Sequence, residues 1–228
     1  MHRWNVSPKR AVAIQQELKS RVRLRRLGAV SRVVGLDCAF SRTHVYAVAV
    51  VWDVARASAI EARGARRLLE FPYIPGLLSF REVPALQAVL GRIRSDYDVL
   101  LCDGQGIAHP RRFGLACHLG VLRDVATIGC AKSRLVGEFE QPGDKRGSQT
   151  ALTFQGQRVG TVLRTRDAVK PVFVSPGHLV DHTSAVEVVL RCGGGLRLPE
   201  PVRLADRMVS AMKRTGRSPM HQLRSVAK

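Results

Sequence analysis

The chain has 228 residues, 45% of them hydrophobic but only 5% aromatic; that is enough for one sizeable domain, with a core of Val, Leu, Ala and Ile that suits a buried sheet. Thirty-seven Lys and Arg against 18 Asp and Glu leave a formal charge of +19, an excess that folding does not require and that fits a polyanion partner, or more blandly an arginine-rich composition. Five cysteines, an odd number with no Cys-x-x-Cys, argue against a disulfide framework, and no apolar run is long enough to span a membrane or follows the N-terminus as a secretory signal, so a reducing, cytoplasmic setting is expected.

Residues 8–27 carry a loose apolar stripe of Val12, Ile14, Leu18 and Val22 on a basic background. Ser7 followed by Pro8 supplies an N-cap and a first helical residue, so the spacing predicts a helix. Three strands follow, over residues 33–40, 44–53 and 57–69. Residues 79–93 read as a helix, with Phe80, Val83, Leu86 and Ile93 at three-to-four spacing and Ser79 with Glu82 as a capping box. Strand and helix then alternate: a strand at 98–102, a helix at 113–122 and a strand at 125–132. Residues 138–150 are polar and glycine-rich and are expected as exposed loop. Strands at 157–166 and 171–175 follow, then a helix at 181–192 ended by a glycine run, a last helix at 199–212, and a basic, weakly patterned tail over 213–228 expected to fray. A three-strand start followed by alternation predicts an α/β fold, one mixed sheet with helices on its faces, within a single domain at residues 1–212.

Three carboxylates stand out. Asp37 lies inside the first apolar strand, where a charge needs an arginine partner, a donor network or a metal. Asp103 ends the 98–102 strand, where strand-end residues meet a cleft, although an Asp before Gly104 also makes an ordinary turn. Glu82 belongs either to the capping box or to the same cleft. If the three converge at one sheet edge, hard oxygen donors at that density suit Mg²⁺ or Mn²⁺. Such ions activate water and stabilise charge on a phosphoryl oxygen. Cys38 and Cys102, next to two of these carboxylates, would point to the opposite face by strand alternation.

Five stretches together resemble the endonuclease V (deoxyinosine 3′-endonuclease) family. They are FPYIPG at 71–76 with SFRE at 79–82, DGQGIAHPR at 103–111, TIGCAK at 127–132, VSPGH at 174–178 and LPEP at 198–201. The resemblance covers roughly residues 8–210 and implies a ribonuclease H-like fold. It implies that Asp37, Glu82 and Asp103 bind metal, that Asp206 fills a fourth position which is His or Asp in relatives, and that Lys132 lies near the scissile phosphate. A lysine ending an apolar strand would place a point charge there; its bland alternative is a solvent-facing strand end. Asp206 could equally be a helix-surface carboxylate paired with Arg203 or Arg207.

Tyr73 matches the family's wedge. Pro72 and Pro75 stiffen the loop that carries Tyr73, Ile74 and Gly76, so that a ring can enter a base stack; otherwise Tyr73 and Ile74 would pack on the core. Gly104 and Gly106 would let backbone approach a flipped base. His109 would orient a water or touch phosphate, or else shape a turn. Gly177 and His178 would present N–H groups to phosphate or base. The implied activity is metal-dependent cleavage, with Mg²⁺ and Mn²⁺ as the candidate ions, of DNA containing deoxyinosine. The cut falls at the second phosphodiester bond 3′ to the lesion and leaves 3′-hydroxyl and 5′-phosphate ends. The expected state is a monomer. Alternatives are a ribonuclease acting on inosine-containing RNA and a non-catalytic basic binding module.

Overall fold

A computed structural model describes residues 2–217 and residue 219. Helix α1 (Pro8–Lys19) leads into strands β1 (Arg32–Phe40), β2 (His44–Asp53) and β3 (Ser58–Leu68), an antiparallel meander. Helix α2 (Leu78–Leu90), strand β4 (Val99–Cys102), helix α3 (Leu115–Arg123) and strand β5 (Ala126–Ala131) follow, with β4 parallel to β1 and β5 parallel to β4. Strands β6 (Gln149–Phe154), β7 (Gln157–Leu163) and β8 (Val172–His178) are antiparallel to their neighbours, and helices α4 (His182–Arg191) and α5 (Glu200–Thr215) close the described chain. The eight strands form one sheet in the order β3-β2-β1-β4-β5-β8-β7-β6, the expected ribonuclease H-like arrangement.

Strand alternation sorts the core into two layers. Val34, Leu36, Leu100 and Cys102 face Val83 and Leu86 of α2 and Leu119 of α3. Val33 and Leu101 face Val202, Ala205 and Val209 of α5, with α4 on the same side. Gly35 makes the α5 contact possible, because a Cβ there would lie 2.1 Å from the Pro201 carbonyl carbon.

Several boundaries differ from expectation. Helix α1 stops at Lys19, and residues 20–31 run as irregular chain held by Leu179 N to Arg23 O (2.7 Å) and Leu27 N to Ser184 Oγ (3.0 Å). The arginine-rich run there has too few apolar residues to bury a helical face. The capping box is not formed: α2 starts at Leu78 without a side-chain cap, Ser79 Oγ bonds His118 Nδ1 at 2.9 Å, and Glu82 is buried. Gln149–Phe154, whose start was expected as loop, is an edge strand with mostly solvent-facing residues, so its sequence looks like a turn. Strand β8 continues to His178, with a register shift opposite Pro176 accommodating the missing N–H. Helix α5 runs to Thr215 and ends on Gly216 at φ 69°, so the expected tail begins as helix; residues 218 and 220–228 lie outside the described residues. Among the described residues no helix is long and apolar enough to cross a membrane. All five cysteines are free thiols.

Candidate active site

The parallel strands β1, β4 and β5 bring their C-terminal ends to one edge of the sheet. Leu36 pairs with Cys102 there, and Asp103 N donates to Leu36 O at 3.1 Å, so Asp37 and Asp103 come one residue beyond the last shared rung. Both alternate onto the α5 side, where Asp206 projects from the helix. Lys132, just past β5, joins them: its Nζ is 2.8 Å from Asp103 Oδ2 and 3.1 Å from Asp206 Oδ2. Asp206 therefore pairs with Lys132, while Arg203 is taken by Glu200. Glu82 reaches the same edge from α2 on the other face, and Cys38 and Cys102 lie on that face too, as strand alternation predicted.

The electrostatics follow from burial and crowding. Desolvation, then the charge of Asp103, pushes Asp37 up to about 7, against the Cys38 N–H that donates to its Oδ1 at 2.8 Å. Desolvation, then the charges of Asp37 and Asp103, holds Glu82 well above the carboxylate range. Burial disfavours the Lys132 ammonium, but its bonds to Asp103 and Asp206 outweigh this and raise its pKa. Among the described residues, Asp37 and Glu82 form no ion pair within 4.0 Å, so arginine does not neutralise them. Burial, then Glu82, also raises the Cys38 thiol, which makes it a poor nucleophile.

Among the described residues no three acidic, histidine or cysteine side chains already form a metal cage. The carboxylates feel one another's charge but do not stand in a preformed coordination shell. Two causes are visible: Glu82 approaches from the opposite face of the sheet, and Asp103 is turned to Lys132. Like charges without a counter-ion keep apart. The donor set nevertheless fits a hard divalent ion, because it offers only carboxylate oxygens and leaves two of them buried without a cation.

Beside this edge opens a cavity of about 340 Å³, lined by Tyr73, Ile74, Gly76, Gly104, Gln105, Lys132 and Asp103. Tyr73 is 70% exposed, with the Arg81 guanidinium 5.8 Å from its ring centroid. Pro72 and Pro75 are exposed beside it. Ile74 instead packs with Phe71 and Leu77 against α1, so half of the core-packing alternative holds. Gln105 Nε2 donates to Ser133 O at 3.0 Å, whereas its buried Oε1 has no partner among the described residues.

Four expected contact residues lie elsewhere or act differently. Gly106 is buried, and a Cβ there would strike Pro176 O at 2.0 Å; it is needed for packing on β8, while Gly104 faces the cavity. Gly177 and His178 lie within β8, where His178 pairs with Thr127, roughly 16 Å along β5 from Lys132 at about 3.3 Å per residue. His178 bonds Arg23 N and Asp124 instead, and the α4 N-terminus is capped by Asp181. His109 is buried, with Nε2 donating to Gly76 O at 3.0 Å and Nδ1 accepting from Arg111 N at 3.2 Å, so neither nitrogen is free for water or phosphate. Desolvation, then Arg111, lowers its pKa to about 4, which keeps it neutral. Gln15 and Arg111, which hold the Gly76 end of the Tyr73 loop, were not singled out from the sequence. The signal for Gln15 was present: it shares the apolar stripe with Ala11, Ile14 and Leu18.

The sequence pattern of endonuclease V matches residues 15–207. The chain belongs to the endonuclease V family. An endonuclease V of Methanothrix thermoacetophila is 51% identical over 205 residues, covering 90% of this chain and 92% of its own. The crystal structure of the Streptomyces avermitilis endonuclease V superposes with a TM-score of 0.89 at 42% identity, covering 94% and 96% of the two chains. The Ciona intestinalis endonuclease V, crystallised with a 24mer DNA containing an inosine followed by a ribo-adenosine, superposes with a TM-score of 0.79 at 26% identity, covering 92% and 98%. As a family member the protein is an endonuclease, a phosphodiester hydrolase.

Proposed function

We propose that this endonuclease is a metal-dependent DNA repair enzyme that recognises deoxyinosine and cuts the second phosphodiester bond 3′ to it, leaving 3′-hydroxyl and 5′-phosphate ends. One observation carries the reading: a single cavity runs from the exposed Tyr73 to Asp103 and Lys132. A base held there would be tethered to a backbone bond at the acidic edge, with recognition and chemistry side by side but separate. The inosine-containing DNA bound by the Ciona relative supports this substrate class.

Asp37, Glu82 and Asp103 would hold Mg²⁺ or Mn²⁺. Such an ion, when bound, polarises phosphate and lowers the pKa of attacking water. The chain's own groups supply the rest. The Lys132 ammonium, held by Asp206, would meet the charge that develops on the phosphate. Tyr73, on a loop stiffened by Pro72 and Pro75, would fill the gap left by an extruded base, and weakly pairing hypoxanthine is the cheaper base to extrude. Five free thiols fit a reducing, cytoplasmic setting, and the reading takes the enzyme to act as a monomer.

The test is cleavage of matched strands carrying deoxyinosine, ribo-inosine or adenine, in Mg²⁺ and in chelator, with the nick mapped by length. The proposal expects a chelator-sensitive nick two bonds 3′ to deoxyinosine. Preference for the ribo-inosine strand would make the enzyme a ribonuclease. Binding without any nick would leave a basic binding module.

A further inference from the structure

Gly76 closes the Tyr73 loop at φ +78°, a conformation that side chains with a Cβ seldom adopt; a Cβ there would also lie 2.7 Å from Arg111 Nη2. Its carbonyl accepts three hydrogen bonds, from Gln15 Nε2 (3.1 Å), His109 Nε2 (3.0 Å) and Arg111 Nη2 (2.5 Å). The donors also brace one another. Arg111 Nε donates to Gln15 Oε1 at 2.6 Å, and Gln15 Nε2 reaches Phe113 O at 3.2 Å. Gln15 is 1% exposed, so these bonds form out of water. The other end of the loop is held by Arg81 Nη1 to Phe71 O at 3.1 Å. Between the two pins, Pro72 and Pro75 fix their own φ and restrict Ile74, which narrows the paths open to the loop.

We infer that Gln15 and Arg111 are positioning residues that aim the Tyr73 loop and thereby set discrimination between lesion and normal base. The inference rests on the proposed wedge role of Tyr73. Helix α1 contributes no group to the acidic edge, so its part in the site is this one buried amide. A loop released from its pin must be ordered again each time a base is extruded, and that ordering weakens binding to the lesion rather than the chemistry that follows.

The experiment compares wild type, Gln15→Met, Gln15→Glu, Tyr73→Ala and Gln15→Met/Tyr73→Ala. Affinity for deoxyinosine and undamaged duplexes is measured in chelator, and the single-turnover nicking rate at saturating enzyme in Mg²⁺. Gln15→Glu keeps the acceptor for Arg111 but loses both donors, and melting curves establish that each variant is folded. Both Gln15 variants are expected to bind the deoxyinosine duplex roughly tenfold more weakly. Binding to undamaged duplex and the saturated rate should move less than about twofold, and Gln15→Met should add nothing on top of Tyr73→Ala. Unchanged discrimination in both Gln15 variants, with discrimination lost in Tyr73→Ala, would overturn the inference and leave the proposed function standing. An equal fall in saturated rate and in both affinities would overturn it as well, by showing a general structural defect. Full lesion affinity in Tyr73→Ala would remove the reading beneath it.

Discussion

Asp37→Asn should stabilise the protein stripped of divalent ions at pH 8. The substitution keeps the shape and the acceptor for Cys38 N while deleting a charge that burial and Asp103 oppose. A carboxyl held at about 7 instead of 3.8 favours the fold fully below about pH 4 and loses that advantage as pH rises through 7. The difference corresponds to about 4 kcal/mol at 1.36 kcal/mol per tenfold change. With half of it absorbed by relaxation and water, about 2 kcal/mol remains, or roughly 4–8 °C in melting temperature for a chain of this length. Melting curves in chelator at pH 5.5 and pH 8 read it directly. The wild type should lose stability between the two relative to Asp37→Asn, and excess Mg²⁺ at pH 8 should stabilise the wild type but not the variant. If Asp37→Asn melts lower than wild type in chelator at pH 8, or if Mg²⁺ stabilises both equally, the argument from crowded carboxylates is wrong.

Lys132→Met should lower the saturated nicking rate by roughly 10²-fold, the size of losing one preorganised charge donor, while gel-shift affinity for undamaged duplex changes little; an unaffected rate would place the lysine outside the chemistry. Tyr73→Ala should weaken deoxyinosine binding by about 1–3 kcal/mol, the worth of one base–aromatic stack, in a fluorescence-anisotropy titration; undiminished affinity would show that the exposed ring touches no base. His109, held at about 4, binds its proton less readily in the fold than the 6.5 of a free side chain. Its contribution to stability is therefore complete above about pH 6.5 and is lost as pH falls through 4. His109→Gln should accordingly flatten the acid limb of the melting-temperature profile in that window while leaving the pH dependence of nicking above pH 6.5 unmoved. A shifted nicking profile would return the histidine to proton chemistry.

The fold was legible where one physical signal dominated. The apolar runs that became β1, β2, β4 and β5 are largely buried on both faces, so their composition alone marks them. The edge strand β6 was missed because a strand with solvent on most of its surface has no apolar pattern to find. Asp37 and Asp103 drew attention because a carboxylate in or just after a buried run needs a partner, although a salt bridge or a turn before Gly104 would have served as well. Gly104 and Gly106 looked interchangeable in sequence, yet one faces the cavity and the other fills against β8; only tertiary packing tells them apart. His109 was visible as a polar residue worth explaining, but its partner is the Gly76 carbonyl, 33 residues away, which no local pattern encodes. The same distance hid Gln15, 61 residues from the carbonyl it holds.

The carboxylates of Asp37 and Asp103, with Glu82 behind them, should take up a divalent cation beside the cavity. Anomalous diffraction from crystals soaked in Mn²⁺ tests it most directly. A single strong peak is expected about 2–2.3 Å from oxygens of both Asp37 and Asp103, with Lys132 swung off Asp103, and no such peak in Asp37→Asn. A peak bound elsewhere, or Lys132 still seated between Asp103 and Asp206 at saturating Mn²⁺, would contradict it.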